Sequence, residues 1–148
     1  MKSFHRILVP VDFSPHSERA LVLAECLARQ NDVPLILLHV VEAPGIARQL
    51  AISAPVVSNE KVMLQDAERG LHRLGERTLP EGVDWTVNVA LGQPAAEIVT
   101  MAESEGVDLI VMGTLGRSAF RQLLAGSVAE RVVRTAPCAV LTVKQDKE

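Results

Sequence analysis

Four runs of consecutive uncharged, mostly apolar residues constrain the fold of this chain more than any other feature. They span 7–11, 34–41, 109–112 and 138–143. A strand that is apolar on one face alternates apolar with polar residues, whereas an unbroken run is typical of a strand that helices cover on both faces. The first three runs therefore predict buried strands of a parallel sheet, and the fourth predicts its last strand.

Segments with helical periodicity separate these runs. Ser14 is a favourable N-cap, and Pro15 stands at the first helical position, where its missing N–H costs nothing. Apolar residues recur at helical spacing in the same segment. The predicted helices run from Pro15 to about Gln30, through Met63, Ala67, Leu71 and Leu74 to about Thr78, from Pro94 to a terminating Gly106, and from Ser127 to about Thr135.

A fifth strand, 84–89, alternates polar and apolar residues and is expected near the sheet edge. The resulting order alternates strand and helix throughout, which predicts an α/β fold with a doubly wound parallel sheet and right-handed crossovers. The length of 148 residues suits one domain over 1–148. In such sheets ligands bind outside the carboxyl ends of the strands, where the strand order reverses.

One long connection lacks a sustained period. Residues 42–59 contain two prolines and a glycine. Connections of this length are uncommon in compact domains unless they are functional or mobile. We expect a surface excursion here, with a helical turn over 47–50.

Composition excludes several classes of function. The net charge is −3 with both signs interspersed, and only three Phe and one Trp are present, so neither a phosphate-binding basic face nor a base-stacking platform is expected and no nucleic acid is bound. No apolar run approaches a membrane span. Cys26 and Cys138 form no disulfide or metal-binding pattern. The expected location is the cytoplasm.

The loop after the third run carries the main candidate site. Gly113 and Gly116 allow positive φ and a close approach of the backbone to a ligand. Gly126 precedes a helix whose N-terminal N–H groups suit phosphate. Arg117 and Arg121 supply positive charge for a polyphosphate, and a divalent cation would offset the remainder.

Two ordinary interpretations stay open for this loop. Turns from a strand to a helix use glycine in any case. Ser127 and Glu130 also match the capping-box pattern, in which the serine satisfies the helix end. A serine hydroxyl can accept from a backbone N–H and still donate to a phosphate, so the two roles are compatible.

No catalytic or metal-binding pattern stands out. The four histidines have no metal-ligand spacing, and His39 is interpreted as a satisfied core residue. Neither a Gly-x-Ser-x-Gly elbow nor a Walker lysine is present. We therefore expect no catalytic residues and no protein-bound metal.

Taken together, the motifs resemble the ATP-binding branch of the universal stress protein family. Gly113-x2-Gly116-x9-Gly126-Ser127 matches the nucleotide loop of that family. The segments 7–14, 38–41 and 137–143 resemble its first, second and last strands. The resemblance covers the whole chain apart from 42–60.

The resemblance implies an open five-stranded sheet of order 3-2-1-4-5. It also implies ATP with Mg²⁺ or Mn²⁺ held by the phosphates. Asp12 would face the nucleoside, unless it is only a turn residue ahead of Ser14. The Val40 backbone would bind adenine. The implied nucleotide-binding residues are Pro10, Val11, Asp12, Val40, Met112, Gly113, Thr114, Gly116, Arg117, Ser118, Ala119, Gly126, Ser127, Val128 and Ala129.

The last strand, 138–143, would pair with that of a second subunit in a homodimer. An apolar edge strand is an aggregation liability unless it is paired or covered, which supports the same conclusion, although the tail or a helix could cover it instead. The function expected is an ATP-binding stress-response regulator. The alternatives are a slow ATP-hydrolysing enzyme of the same fold, or a member that binds AMP or cyclic AMP.

Overall fold

In the described part of the chain, five strands and four helices alternate. The computed structural model describes residues 4–42, 56–114 and 127–144. The strands are β1 (Ile7–Pro10), β2 (Leu35–Val41), β3 (Trp85–Leu91), β4 (Leu109–Gly113) and β5 (Ala139–Val143). The helices are α1 (Pro15–Asn31), α2 (Val56–Thr78), α3 (Pro94–Ser104) and α4 (Ser127–Thr135).

The strands form one parallel sheet of order β3-β2-β1-β4-β5, as predicted. β1 lies at the centre, with Ile7 opposite Leu35 of β2 on one side and Leu109 of β4 on the other. The first three residues of β1 have no exposed surface. The strand order reverses at β1, so this strand marks the switch point of the sheet.

Each face of the sheet carries its own apolar core. Residues of α1 and α2 pack on one face, and residues of α3 and α4 pack on the other. The core beneath α1 and α2 includes Leu21, Leu37 and Leu71. The core beneath α3 and α4 includes Ile98 and Ile110. Helices on both faces explain why the central strands are apolar throughout.

The helix ends follow the predicted local chemistry. The Ser14 hydroxyl oxygen accepts from the Ser17 N–H at 3.2 Å, which caps α1. α1 ends at Asp32, whose φ of 53° is left-handed and whose N–H bonds to the Ala28 carbonyl. Gly106 follows α3 with a φ of +62°, the conformation that glycine adopts most easily after a helix.

The start of α2 differs from the prediction. Residues 56–59 were expected in the surface excursion, but they belong to α2. Over 59–78, the part of α2 whose burial is described, the buried residues begin at Ala67, whereas Met63 is 47% exposed and not inward as predicted. The helical turn expected over 47–50 lies outside the described residues.

Gly113 closes β4 directly against α1. A Cβ atom on Gly113 would lie 2.8 Å from the His16 Cβ and 3.0 Å from the His16 carbonyl carbon. Gly113 does not adopt the positive φ that a glycine allows, because its φ lies outside the left-handed region. Glycine is needed here because the backbone of α1 lies too close for a side chain.

Asp108 connects the segment before β1 to the start of β4. Its carboxylate accepts from the His5 N–H at 2.7 Å and from the Arg6 N–H at 3.1 Å, and it contacts the His5 Nδ1 at 2.9 Å. Burial raises the pKa of Asp108, but the hydrogen bonds from Arg6 and His5 outweigh it and hold the pKa below its ordinary value of 3.8.

Within the described ranges, no helix is both long and apolar enough to cross a membrane.

Replacing Gly113 with alanine tests this close packing. We expect Gly113→Ala to lower the free energy of unfolding by about 2 kcal/mol, because the added methyl group meets the His16 backbone. Gly106→Ala is the comparison, since nothing lies within 4 Å of its added Cβ and only backbone strain of about 1 kcal/mol is expected. Urea unfolding measures both. Equal stability of Gly113→Ala and the parent protein would contradict the packing.

Replacing Asp108 tests the connection at the other end of the sheet. We expect Asp108→Ala to destabilise the protein by about 1 kcal/mol at pH 7, because two backbone donors lose a charged acceptor. Because the folded-state pKa is lowered, the carboxylate contributes its full stabilisation above its ordinary pKa. That stabilisation is lost as the pH falls through the folded-state pKa. The difference should therefore shrink below pH 3.8. Exposed Glu81→Ala is the control, and a pH-independent difference would contradict the assignment.

Candidate functional site

A cleft of about 810 Å³ opens at the carboxyl ends of β1, β2 and β4. α2 borders it on one side, and the first turns of α3 and α4 border it on the other. Its position is the switch point of the sheet, where the connections from β1 and β4 leave in opposite directions. The fold therefore creates the cleft that the order of elements predicted.

Ten of the predicted site residues line this one cleft. They are Pro10, Val11, Asp12, Val40, Met112, Gly113, Thr114, Ser127, Val128 and Ala129. These residues come from three strand ends and from the start of α4, so residues more than one hundred positions apart in sequence meet here. The remaining predicted residues, Gly116, Arg117, Ser118, Ala119 and Gly126, lie outside the described residues, as does Arg121.

The turn after β1 holds Asp12 at the cleft. One carboxylate oxygen of Asp12 accepts from the Ser14 N–H at 2.9 Å, so the turn role considered for Asp12 is present. Asp12 also lines the cleft. A carboxylate has about four acceptor positions, so a bond to the turn does not by itself exclude a bond to a ligand hydroxyl.

Phe13 takes an uncommon backbone conformation in the same turn. Its φ is +63°, which costs a non-glycine residue roughly 1–2 kcal/mol. The ring lies 4.8 Å from the His39 ring, measured between centroids. On its other side is Gly70 of α2, where a Cβ would lie only 3.0 Å from the Phe13 Cζ. Packing between β2 and α2 holds the strained turn in place.

Val40 presents backbone groups towards the open side of β2. In a parallel strand, alternate residues direct their N–H and C=O groups to opposite neighbours. The Leu38 carbonyl accepts from the Val11 N–H at 2.8 Å, on the β1 side. The Val41 carbonyl accepts from the Gly92 N–H, on the β3 side. The polar groups of Val40 therefore point to the β1 side, beyond Pro10, the last residue of β1.

His39 is satisfied as the sequence suggested, but it also lies at the cleft. Its Nδ1 is 2.6 Å from the Val11 carbonyl oxygen, and the side chain is half-buried. A carbonyl oxygen can only accept, so Nδ1 carries the proton in this hydrogen bond. The imidazole thus contacts the turn that holds Asp12.

At the opposite wall, α4 begins with Ser127. Its first turn contributes Ser127, Val128 and Ala129 to the cleft, and its N-terminal N–H groups have no partners within the helix. The carboxylate of Glu130 contacts the Arg134 guanidinium at 2.6 Å, four residues along the helix. The glutamate of the predicted capping box therefore forms an ion pair on the exposed surface of the helix.

Sequence reasoning missed the contribution of α2 and several neighbours of the predicted residues. The additional lining residues are Phe13, Ser17, Leu38, His39, Val41, Glu42, Met63, Asp66, Ala67, Gly70, Pro94 and Ile98. Gly70 was the available signal, since a glycine inside a helix often marks a close approach. Its neighbour is Phe13, which only the tertiary structure reveals.

The charges around the described part of the cleft are acidic. Asp12, Glu42 and Asp66 line it, and no lysine or arginine does so among the residues that the structure describes. No group of three His, Cys, Asp or Glu residues is arranged to hold a metal ion in those same ranges. An anionic ligand group therefore fits best at the α4 end, where the helix N-terminus carries partial positive charge.

Comparison with known proteins agrees with this architecture. The universal stress protein MJ0531 of Methanocaldococcus jannaschii is 33% identical over 146 residues, which covers 98% of this chain and 85% of that protein. The solved structure of MJ0577 from the same organism matches with a TM-score of 0.81 at 29% identity, covering 97% of this chain and 98% of that one.

A universal stress protein solved in complex with cAMP shares the fold, with a TM-score of 0.65 at 24% identity, and the match covers 95% of this chain and 96% of that one. The model of the universal stress protein family matches residues 3–144. The match includes all the strands that form the cleft. Because it extends over nearly the whole sequence, this chain belongs to the universal stress protein family.

Proposed function

We propose that this protein is an adenine-nucleotide-binding regulator of the stress response, with ATP as its ligand. The observation that carries the proposal is the convergence of ten predicted nucleotide-binding residues on one cleft at the switch point. They were implied by the resemblance of the sequence to the universal stress protein family, before the structure was considered. Their meeting at one cleft supports the proposal.

The two ends of the cleft offer different chemistry. At the β2 end, the Val40 backbone offers a donor and an acceptor to the edge of a base, and Asp12 offers acceptors to ribose hydroxyls. At the α4 end, the helix N-terminus faces the cleft at Ser127 and suits phosphate. The segment with Gly116, Arg117 and Gly126 connects β4 to this end in sequence. The phosphate oxygens of the ligand would hold the divalent cation, Mg²⁺ or Mn²⁺.

A regulatory role fits this cleft better than rapid hydrolysis. Phosphoryl transfer to water needs a residue that orients or deprotonates the water. Among the described residues at the α4 end, Thr114 and Ser127 offer hydroxyl groups, and no carboxylate or histidine lines that end. Turnover should therefore be slow.

Cyclic AMP is the second candidate ligand. The relative solved with cAMP has the same fold, and the acidic β2 end of this cleft would leave the base and ribose contacts unchanged for either nucleotide. ATP and cyclic AMP differ in the number of phosphates that the α4 end must hold. A comparison of affinities separates them.

Nucleotide binding is tested on the purified protein. We expect denaturation to release ATP, identified by mass spectrometry, and calorimetry to show ATP binding more tightly than ADP, AMP or cyclic AMP. Preference for cyclic AMP would favour the second candidate. No released nucleotide and no binding below millimolar concentration would contradict both. Phosphate release at about one per second or faster, an ordinary enzymatic rate, would contradict the regulatory role.

A variant of Asp12 locates the nucleoside within the same experiment. Asp12→Asn keeps an oxygen that can accept from the Ser14 N–H but removes the charge. We expect ATP affinity to fall about tenfold, the effect of weakening one charged hydrogen bond to the ligand by about 1.4 kcal/mol. Asp84→Asn is the control, since Asp84 is exposed and lies before β3, at the other end of the sheet. Equal affinities would contradict the role of Asp12.

We also propose that two chains pair through β5. This strand is at the sheet edge, and Leu141 at its centre is 37% exposed. Val133 of the neighbouring α4 is 55% exposed. An uncharged edge strand with exposed apolar side chains invites pairing with another strand, and a two-fold dimer satisfies both copies at once.

A charge on β5 tests this pairing. We expect the parent protein to be a dimer by light scattering at micromolar concentration and Leu141→Lys to be a monomer, because two lysines would meet near the two-fold axis. Val62→Lys is the control, since Val62 is also exposed but lies on α2, which packs near the opposite edge. A monomeric parent protein would contradict the proposal.

A further inference from the structure

The β1–β2 ladder ends in an unusual way at the cleft. Val11 donates its N–H to the Leu38 carbonyl, which continues the ladder one residue past β1. In a regular parallel ladder, the Val11 carbonyl would next accept from the Val40 N–H. Among the described residues, that carbonyl instead accepts from the His39 imidazole at 2.6 Å.

The side chain thus takes the place of a backbone donor. His39 supplies the substitute donor to the Val11 carbonyl. The N–H of the adjacent Val40 therefore does not bond to that carbonyl. The Val40 N–H points towards the cleft side of β1, as the alternation along β2 requires. A strand end that keeps its donor and acceptor can read the edge of a bound base.

From this substitution of donors we infer that His39 is a positioning residue. It ends the β1–β2 ladder and so leaves the backbone N–H and carbonyl of Val40 available to the ligand. The inference rests on the proposed function in one respect, that the ligand contacts Val40. The ring packing supports it. The Phe13 ring lies against the His39 ring and against Gly70 of α2, which limits the positions open to the imidazole.

The same hydrogen bond also orients Asp12. The Val11 carbonyl and the Asp12 N–H belong to one planar peptide unit, so fixing the carbonyl fixes the plane from which Asp12 begins. The Asp12 carboxylate then reaches the Ser14 N–H at 2.9 Å. His39 therefore acts on both ends of the base and ribose site without having to touch the ligand.

Two substitutions separate positioning from mere space filling. Asparagine at 39 can place an amide N–H near the position of Nδ1, so His39→Asn should preserve the bond to Val11. Leucine fills similar space without a donor, so in His39→Leu the Val11 carbonyl should take the Val40 N–H and extend the ladder. We expect nucleotide affinity to fall about five- to tenfold in His39→Leu, the effect of one hydrogen bond, and to stay within about twofold in His39→Asn.

Hydrogen exchange provides a readout that needs no nucleotide. The Val40 amide should exchange faster than its ladder-bonded neighbours in the parent protein and in His39→Asn, and it should become protected in His39→Leu. Equal exchange of the Val40 amide in all three proteins would overturn the inference. So would equal loss of affinity in both variants, since a lost donor could not explain it. If the parent protein binds no nucleotide, the proposed function fails, and the exchange rates still decide the role of His39.

Discussion

The central position of β1 is the constraint on which the rest of the structure depends. Ile7, Leu8 and Val9 are fully buried, with a hydrogen-bonded neighbour on each edge and a helix layer on each face. Such a strand has no exposed edge and tolerates little change in register. The chain turns at Asp12 directly after this strand, and the cleft lies beyond the end of β1, where β2 and β4 flank it.

Residues with local structural roles also line this cleft. Asp12 accepts from the Ser14 N–H in the turn and also lines the cleft. Gly113 allows the close approach of α1 and lines the same cleft. His39 is half-buried, and its Nδ1 donates to the Val11 carbonyl at the end of the β1–β2 ladder. For these residues a structural role and a place in the cleft are therefore compatible. The same hydrogen bonds that stabilise the turn also orient its side chains.

The electrostatics of the cleft explain why one helix end matters. Its described lining carries three carboxylates and no lysine or arginine, which disfavours an anion near β2. The N-terminus of α4 supplies partial positive charge through oriented backbone groups. A ligand with an uncharged nucleoside and charged phosphates matches this asymmetry. The polarity of the site thus follows from the fold, because a parallel α/β sheet directs helix N-termini towards the strand ends where ligands bind.

The sequence by itself determined the order of strands and helices, since unbroken apolar runs and capped helical segments are local signals. Its resemblance to the family also implied that Asp12, Val40 and the start of α4 contribute to one site, and these residues line one cleft. Only the tertiary structure brought α2 to the cleft, placed Phe13 between His39 and Gly70, and showed that Gly113 meets His16. These contacts join residues far apart in the chain. No local periodicity encodes them, because they depend on how separately formed elements pack.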